Sequence, residues 1–299
     1  MKQISVIIPN YLEKKKLKRC IESIYFREKI LIEIIVVNDG KKIEVSANTQ
    51  LPVKYIHLKK NRGAAFARNV GLAAAKYEWV LFLDSDCSLV TPVDHIHNQF
   101  TIFQNKDVQV GALGGKLIFP RSYLAQVISL SDSLDCLNGD SPEYRFFLST
   151  GLFFIGKKTI LKVNGFKSEF RRGQDRELCY RLADKGYKFM FDPSIRFMHD
   201  HSDSGFIKHL KKEYSNGRQL GLALELKYSK YYNLGFLNMY SSIWVYPLLI
   251  IPLSAFLTFK MLMLTKEYRS RAILALPLVF IFKVSYRVGT YTRLLQNHF

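Results

Sequence analysis

Ile4 to Pro9 and Ile32 to Val37 are short β-branched runs with little polar alternation, the pattern of strands buried on both faces. Between them Leu17, Cys20, Ile21, Ile24 and Tyr25 recur at helical spacing with lysines on the other face, so the chain opens on a βαβ unit. The alternation continues. Val53 to Leu58 predicts a strand, Ala64 to Ala75 an alanine-rich helix, and Glu78 to Leu83 a further strand. Thr91-Pro92 predicts a helix start, a capping residue followed by proline at the first helical position, and Gly111 to Phe119 another strand. From Arg121 to Ser149 the pattern loosens into mixed polar and aromatic sequence. Order returns at Thr150 to Ile155, Gly165-Phe166 marks a turn, and Asp175 to Lys185 predicts a helix with Leu178 and Leu182 four apart and Gly186 as its stop. Tyr187 to Phe191 follows as a short strand. This alternation predicts an α/β fold with a doubly wound, mostly parallel sheet and a ligand site at its C-terminal edge.

Beyond Gly205 the character changes. Gly205 to Lys230 is basic and amphipathic, with Phe206, Leu210, Tyr214, Leu220, Leu222 and Leu224 among lysines, which suits a helix lying on an anionic membrane surface. Ile243 to Phe259 carries no charge, and Met261 to Leu264 extends it past Lys260 to a length that spans a bilayer with the lysine snorkelling. Ala272 to Phe282 is shorter. The pair predicts a membrane hairpin with Lys266 to Arg271 as its turn; Pro247, Pro252 and the short second segment keep two core helices of a soluble domain as the alternative.

Composition narrows the classes. With 299 residues, 48% hydrophobic and 14% aromatic, the chain is globular rather than disordered. A net charge of +19 favours polyanions, and the segment after Gly205 holds thirteen Lys/Arg against three Glu. Basic residues beside apolar segments point to a membrane; the lysines are spread, no groove-reading motif is present, and nucleic acid is not an expected partner. The four cysteines, Cys20, Cys87, Cys136 and Cys179, lack CxxC spacing, which suggests a reducing compartment and no disulfide framework. The start of the chain shows no secretory h-region, so the N-terminal body is expected in the cytoplasm.

The chemistry-bearing residues cluster at predicted strand ends. Val80 to Leu83 ends in Asp84-Ser85-Asp86, two carboxylates that suit a hard divalent cation, Mn2+ or Mg2+, carrying phosphate oxygens. Asp39 follows Val36-Val37-Asn38 and precedes Gly40, placed either to accept from a base edge such as a uracil imide or to form an ordinary Asx turn. Pro9-Asn10-Tyr11 brings an aromatic ring to the same edge. Arg68 is placed to meet a diphosphate, to hold Asp84 or Asp86, or to remain solvated. His199 and His201, two apart, also suggest zinc, which the lack of nearby cysteines argues against.

Ser5 to Tyr11, Val37-Asn38-Asp39-Gly40, Asn61-Arg62-Gly63 with Ala67-Arg68-Asn69 and Gly71, Leu83 to Asp86, and Gly173-Gln174-Asp175 with Glu177-Leu178 and Arg181-Leu182 occur in the order seen in family 2 glycosyltransferases. The chain resembles an inverting transferase of the GT-A fold over roughly residues 3 to 204, which implies a domain of residues 1 to 204 with a nucleotide-sugar-binding half (1 to 115) and an acceptor half (116 to 204). A basic amphipathic region (205 to 240) and an apolar hairpin with a basic tail (241 to 299) would follow. The resemblance implies that Pro9, Tyr11, Asp39, Arg68 and Asp84 contact the nucleotide sugar. It further implies Asp86 and His199 as cation ligands and Asp175 as the general base. The implied donor is a uridine diphosphate sugar, the acceptor a lipid-linked or cell-envelope saccharide, and the location the cytoplasmic face of the cell membrane. Two positions depart from the family pattern: Asn38 and Gln174 stand where many relatives have acids. The alternatives are a metal-dependent nucleotidyltransferase, which needs a glycine-rich loop that Pro9 to Glu13 does not supply, and a basic nucleic-acid-binding module.

Overall fold

The computed structural model describes residues 2–132, 134–137, 139–201, 205–227, 242–265 and 268–298. The elements are β1 (Lys2–Asn10), α1 (Lys14–Glu22), β2 (Ile30–Asp39), β3 (Val53–Leu58), α2 (Ala64–Ala74), β4 (Trp79–Leu83), β5 (Cys87–Leu89), α3 (Val93–Lys106), β6 (Val110–Leu117), α4 (Tyr123–Asp132), α5 (Leu134–Leu137), β7 (Glu143–Arg145), β8 (Leu152–Gly156), α6 (Lys157–Leu161), α7 (Gln174–Ala183), β9 (Lys188–His199), α8 (Phe206–Lys227), α9 (Tyr246–Leu264) and α10 (Arg269–His298). They form two compact units, Met1–Ile118 with Gly139–Asp200, and Phe119–Asn138 with His201–Phe299.

The first unit is built on a nine-stranded sheet of order β3-β2-β1-β4-β8-β6-β9-β5, with β7 added against β9. Strands β3, β2, β1 and β4 are parallel, and their aliphatic runs are buried because helices cover the sheet. Strand β8 enters antiparallel between β4 and β6, so the sheet is mixed while its β3 to β4 side keeps the doubly wound pattern. On that side β1, β2 and β4 all end at one edge, at Asn10, Asp39 and Leu83. Helix α2 lies close on β1: a Cβ at Gly71 would collide with the Ile7 side chain, which is why the small residue is needed there.

Two departures from the sequence pattern shape the site. Strand β9 is much longer than the run Tyr187 to Phe191. Its pairing with β6 skips between Gly115↔Asp192 and Lys116↔Arg196, a bulge that absorbs Pro193, which has no N–H for the ladder. Asp192 Oδ1 accepts the Ser194 N–H there (2.8 Å), and the strand continues to His199. Strand β5, three residues long and too short for periodicity to reveal, pairs antiparallel with that extension.

The second unit is helical. Within Arg121 to Ser149, where the sequence showed no regular pattern, α4 forms and packs on α10 because its residues Ala125 to Ser131 are all buried. The Tyr123 hydroxyl donates to the Leu274 carbonyl (2.9 Å) and Lys283 Nζ to the Ser131 carbonyl (2.7 Å). The segment Phe119–Asn138 thus belongs with the C-terminal helices, whereas position along the chain had put it in the acceptor half. The amphipathic region is helical as α8; residues 228–240 of it, and Lys266 and Glu267 of the expected hairpin turn, lie outside the described residues. Helices α9 and α10 are each long and apolar enough to cross a membrane. Their large side chains face outward: Leu248 is 76% exposed, Phe256 62% and Leu274 67%, unlike core helices of a soluble domain.

Lys212 holds the Asp132 carboxylate at 2.8 Å and His209 lies 3.4 Å from it, an ion network joining α4 to α8. Helices α8 and α10 cross on two glycines. A Cβ at Gly217 would strike the Tyr286 carbonyl oxygen, and one at Gly289 the Tyr214 carbonyl oxygen. Either Gly217→Ala or Gly289→Ala should therefore separate the helices and lower stability by about 1–3 kcal/mol. Thermal unfolding in detergent checks this, and an unchanged midpoint for both would refute the crossing.

Candidate active site

Because β1, β2 and β4 are parallel, Tyr11, Asp39 and Asp84 line the C-terminal edge that the sequence predicted. Pro9 and Asn10 are buried in β1, and Tyr11 emerges with its ring half exposed. The residues then sort into three constellations.

The first surrounds Asp39. Its Oδ1 accepts the Arg62 N–H and its Oδ2 the Gly63 N–H, both at 2.7 Å. Gly63, at φ +92°, turns the chain into α2 there. The carboxylate thus ties the end of β2 to the start of α2, a clamp on the loop rather than an Asx turn of its own. Asn38 explains its departure from the acidic pattern. It accepts from Asn10 Nδ2 (2.7 Å) while its own amide N–H donates to the Ile43 carbonyl (2.6 Å), and a carboxylate could not donate.

The second centres on Arg68. Far from being solvated on a helix face, its guanidinium is 2% exposed and donates from Nη2 to Asp84 Oδ1 at 2.5 Å. Gln174, its amide oriented to satisfy its neighbours, accepts from Arg68 Nη1 (2.9 Å) and donates to the Phe170 and Arg171 carbonyls (3.3 Å each). Here again an amide stands where an acid could only accept. Next to it, Asn69 brackets Phe166, accepting its N–H (2.8 Å) and donating to its carbonyl (2.6 Å). Fully buried Glu177 is gripped by Arg181 through Nε (2.8 Å) and Nη2 (2.7 Å), and Arg181 also donates to the Val163 and Gly165 carbonyls. Asp175 opens α7 beside Gln174, with its Oδ1 accepting the Arg176 N–H at 2.9 Å. The loop before α7 and the start of that helix are therefore fixed to α2 and to the end of β4.

The third is at β5 and β9. His199 Nε2 stands 3.1 Å from Asp86 Oδ2, and the Asp200 N–H donates to the Asp86 carbonyl at 2.8 Å. Arg19 of α1 holds Asp200 at 2.5 Å. Cys87 pairs directly across from His199 in the ladder, and its thiol, the Asp86 carboxylate and the His199 ring lie mutually within 4.8 Å. The expectation that no cysteine lies near the histidines is thus corrected, because the bulge in β9 brings distant residues together. His201 is buried in the second unit.

Burial raises the Asp84 carboxyl above the usual carboxylate range, with the Arg68 charge opposing and the Asp86 charge adding to the rise. Two carboxylates against one guanidinium leave a surplus of negative charge, and a carboxylate facing an imidazole at 3.1 Å is a donor set that a divalent cation fits.

A parallel strand edge carrying these acids, with a loop and helix tied to it, belongs to a GT-A glycosyltransferase fold. Residues 5–126 match the family model "Glycosyl transferase family 2". The chain is 26% identical over 215 residues to a pre-mycofactocin glycosyltransferase of Mycobacterium tuberculosis, a match covering 67% of this chain and 43% of that protein. It is also 26% identical over 240 residues to the Staphylococcus aureus poly(ribitol-phosphate) beta-N-acetylglucosaminyltransferase TarP, covering 73% and 69%. Among solved structures, the mannosyltransferase PcManGT of Pyrobaculum calidifontis, in complex with GDP-Man and Mn2+, aligns with a TM-score of 0.58 at 16% identity over 98% of this chain and 87% of that one.

The Arg68 tie generates a test. Arg68→Lys keeps a charge but loses the planar fork that serves Asp84 and Gln174 together. Turnover should fall roughly 100-fold with the fold retained. Arg68→Ala, which strands a half-buried carboxylate, should cost about 3 kcal/mol in thermal unfolding. Full activity in the lysine variant would exclude the positioning role.

Proposed function

We propose that this chain is an inverting glycosyltransferase that moves a sugar from a nucleoside diphosphate donor to a hydroxyl of a cell-envelope saccharide at the membrane. The observation that carries the reading is the convergence at one sheet edge: Asp86 and His199 at 3.1 Å, Asp84 beside them, and the Arg68 bond from Asp84 to the loop that opens α7. The similar proteins support it: one is a poly(ribitol-phosphate) beta-N-acetylglucosaminyltransferase, and the similar mannosyltransferase structure holds GDP-Man and Mn2+.

Asp86 and His199 would hold the divalent cation, which supplies charge neutralisation to the departing diphosphate. Asp84, held by Arg68, lies beside that charge. Tyr11 offers its ring to the nucleobase, and Asp39 keeps the Arg62-Gly63 backbone in place beside it. Asp175 accepts the proton of the acceptor hydroxyl as that oxygen attacks the anomeric carbon. The bond from the anomeric carbon to the phosphate oxygen breaks in the same displacement, and the nucleoside diphosphate leaves. Asp175 Oδ1 accepts the Arg176 N–H, which orients the carboxylate; in this reading Oδ2 takes the proton.

The domain boundary at residue 204 and the placement of the catalytic body on the cytoplasmic face belong to the same reading, with α9 and α10 as the membrane segments. Their outward apolar side chains support it.

A screen of nucleotide sugars, uridine diphosphate sugars first, should show diphosphate release that requires Mn2+ or Mg2+ and stops with a chelator. Asp175→Asn should lower transfer by about 100–10,000-fold, the range of a lost general base, while donor binding remains. Undiminished transfer in that variant would remove Asp175 from the chemistry. In cells, the full chain should stay in the membrane fraction through an alkaline carbonate wash and come off with detergent. Release by the wash alone would contradict the membrane segments.

A further inference from the structure

We propose that Cys87 is a third ligand-competent group of the cation site, making the site thiophilic: Zn2+ or Cd2+ binds through Asp86, Cys87 and His199 and displaces the working cation. This rests on the reading that Asp86 and His199 hold that cation.

The ladder supplies the geometry. Residues directly opposite on antiparallel strands project their side chains to the same face, with Cβ atoms about 4.5–5.5 Å apart. Cys87 and His199 are such a pair, and Asp86 is the residue before Cys87. One thiol, one carboxylate oxygen and one ring nitrogen within 4.8 Å of each other is a mixed S, O, N set. Three protein ligands with an open fourth position is the arrangement that suits tetrahedral zinc. Mn2+ and Mg2+ favour oxygen-rich octahedral surroundings and gain little from sulfur.

The thiol lies beside a backbone position that carries no side chain. Cys87 is fully buried, with the Gly151 backbone beside it; a Cβ built on Gly151 would sit 3.5 Å from Sγ and 3.3 Å from the Phe197 ring. The glycine thus leaves the thiol its space. Of the other cysteines, Cys20 lies near the acid pair, and its thiol donates to the Asp84 carbonyl at 3.5 Å, so it serves as the internal control.

The reaction balances simply. The Cys87 S–H bond breaks, a sulfur–metal bond forms, and the proton goes to solvent. No oxidant or reductant takes part. A soft ion so held fills the place of the octahedral one with fewer positions open to diphosphate oxygens, so the expected consequence is inhibition by Zn2+ and Cd2+ that added Mn2+ reverses poorly.

The full-length protein in detergent is titrated with Mn2+, followed by electron paramagnetic resonance of the free ion, and then with Cd2+, followed by ultraviolet thiolate-to-metal charge-transfer absorption. Cd2+ should displace Mn2+ and produce the band at one equivalent, at least about tenfold tighter than Mn2+. Cys87→Ser and Cys87→Ala should abolish the band and remove that advantage while still binding Mn2+, which also shows that they are folded. Cys20→Ala should keep the band. A band that survives in both Cys87 variants, or Cd2+ displacing Mn2+ without any band, overturns the proposal. Mn2+ that fails to bind the wild type, or that binds Asp86→Ala as well, overturns instead the assignment of the cation site.

Discussion

The buried guanidinium of Arg68 is the constraint on which the rest of the site depends. It reaches the carboxylate at the end of β4 with one nitrogen and the Gln174 amide before α7 with another. Leaving either partner unmade would strand a polar group in a water-poor place, so the end of the strand and the start of the helix are locked to a common point. Asn69, one residue further along α2, repeats the device with the backbone of Phe166. A single helical turn of α2 therefore positions both Asp84 and the helix that carries Asp175.

The two departures from the family pattern share one physical explanation. Asn38 and Gln174 each accept from a neighbouring donor and also donate to a backbone carbonyl. An acid in either place would satisfy the first role and leave the carbonyl without a donor. Each amide also spares the edge a further negative charge beside Asp39 or Asp84. The substitutions move charge away from the site without loosening it.

The parts legible in the sequence were those with local causes. Strand β3 coincides with the run Val53 to Leu58, and β1, β2 and β4 differ from their predicted runs only at the ends, because buried parallel strands are written as unbroken aliphatic stretches. The acids at their ends were visible for the same reason. Long-range register was not legible. Nothing in the spacing of Cys87 and His199 announces that they face each other, since that depends on a bulge at Pro193 that shifts β9 along β6. Helix α4 was hidden differently: it is apolar around most of its circumference, so it shows no amphipathic period. Of the partners of Arg68, Asp84 was among those considered for it and Gln174 was not, because both depend on α2 turning that side chain inward.

The β5 to β9 ladder has a consequence for assembly. Asp86 is laid down early in the chain, but the strand that carries His199 to it is the last of the sheet. Until β9 has been made, threaded alongside β6 and shifted by its bulge, the Asp86 carboxylate has no imidazole opposite it. On the proposed reading of Asp86 and His199 as the cation ligands, ion capture would report completion of the sheet, and a ribosome-bound chain ending before His199 would hold half a site however well its first strands had formed.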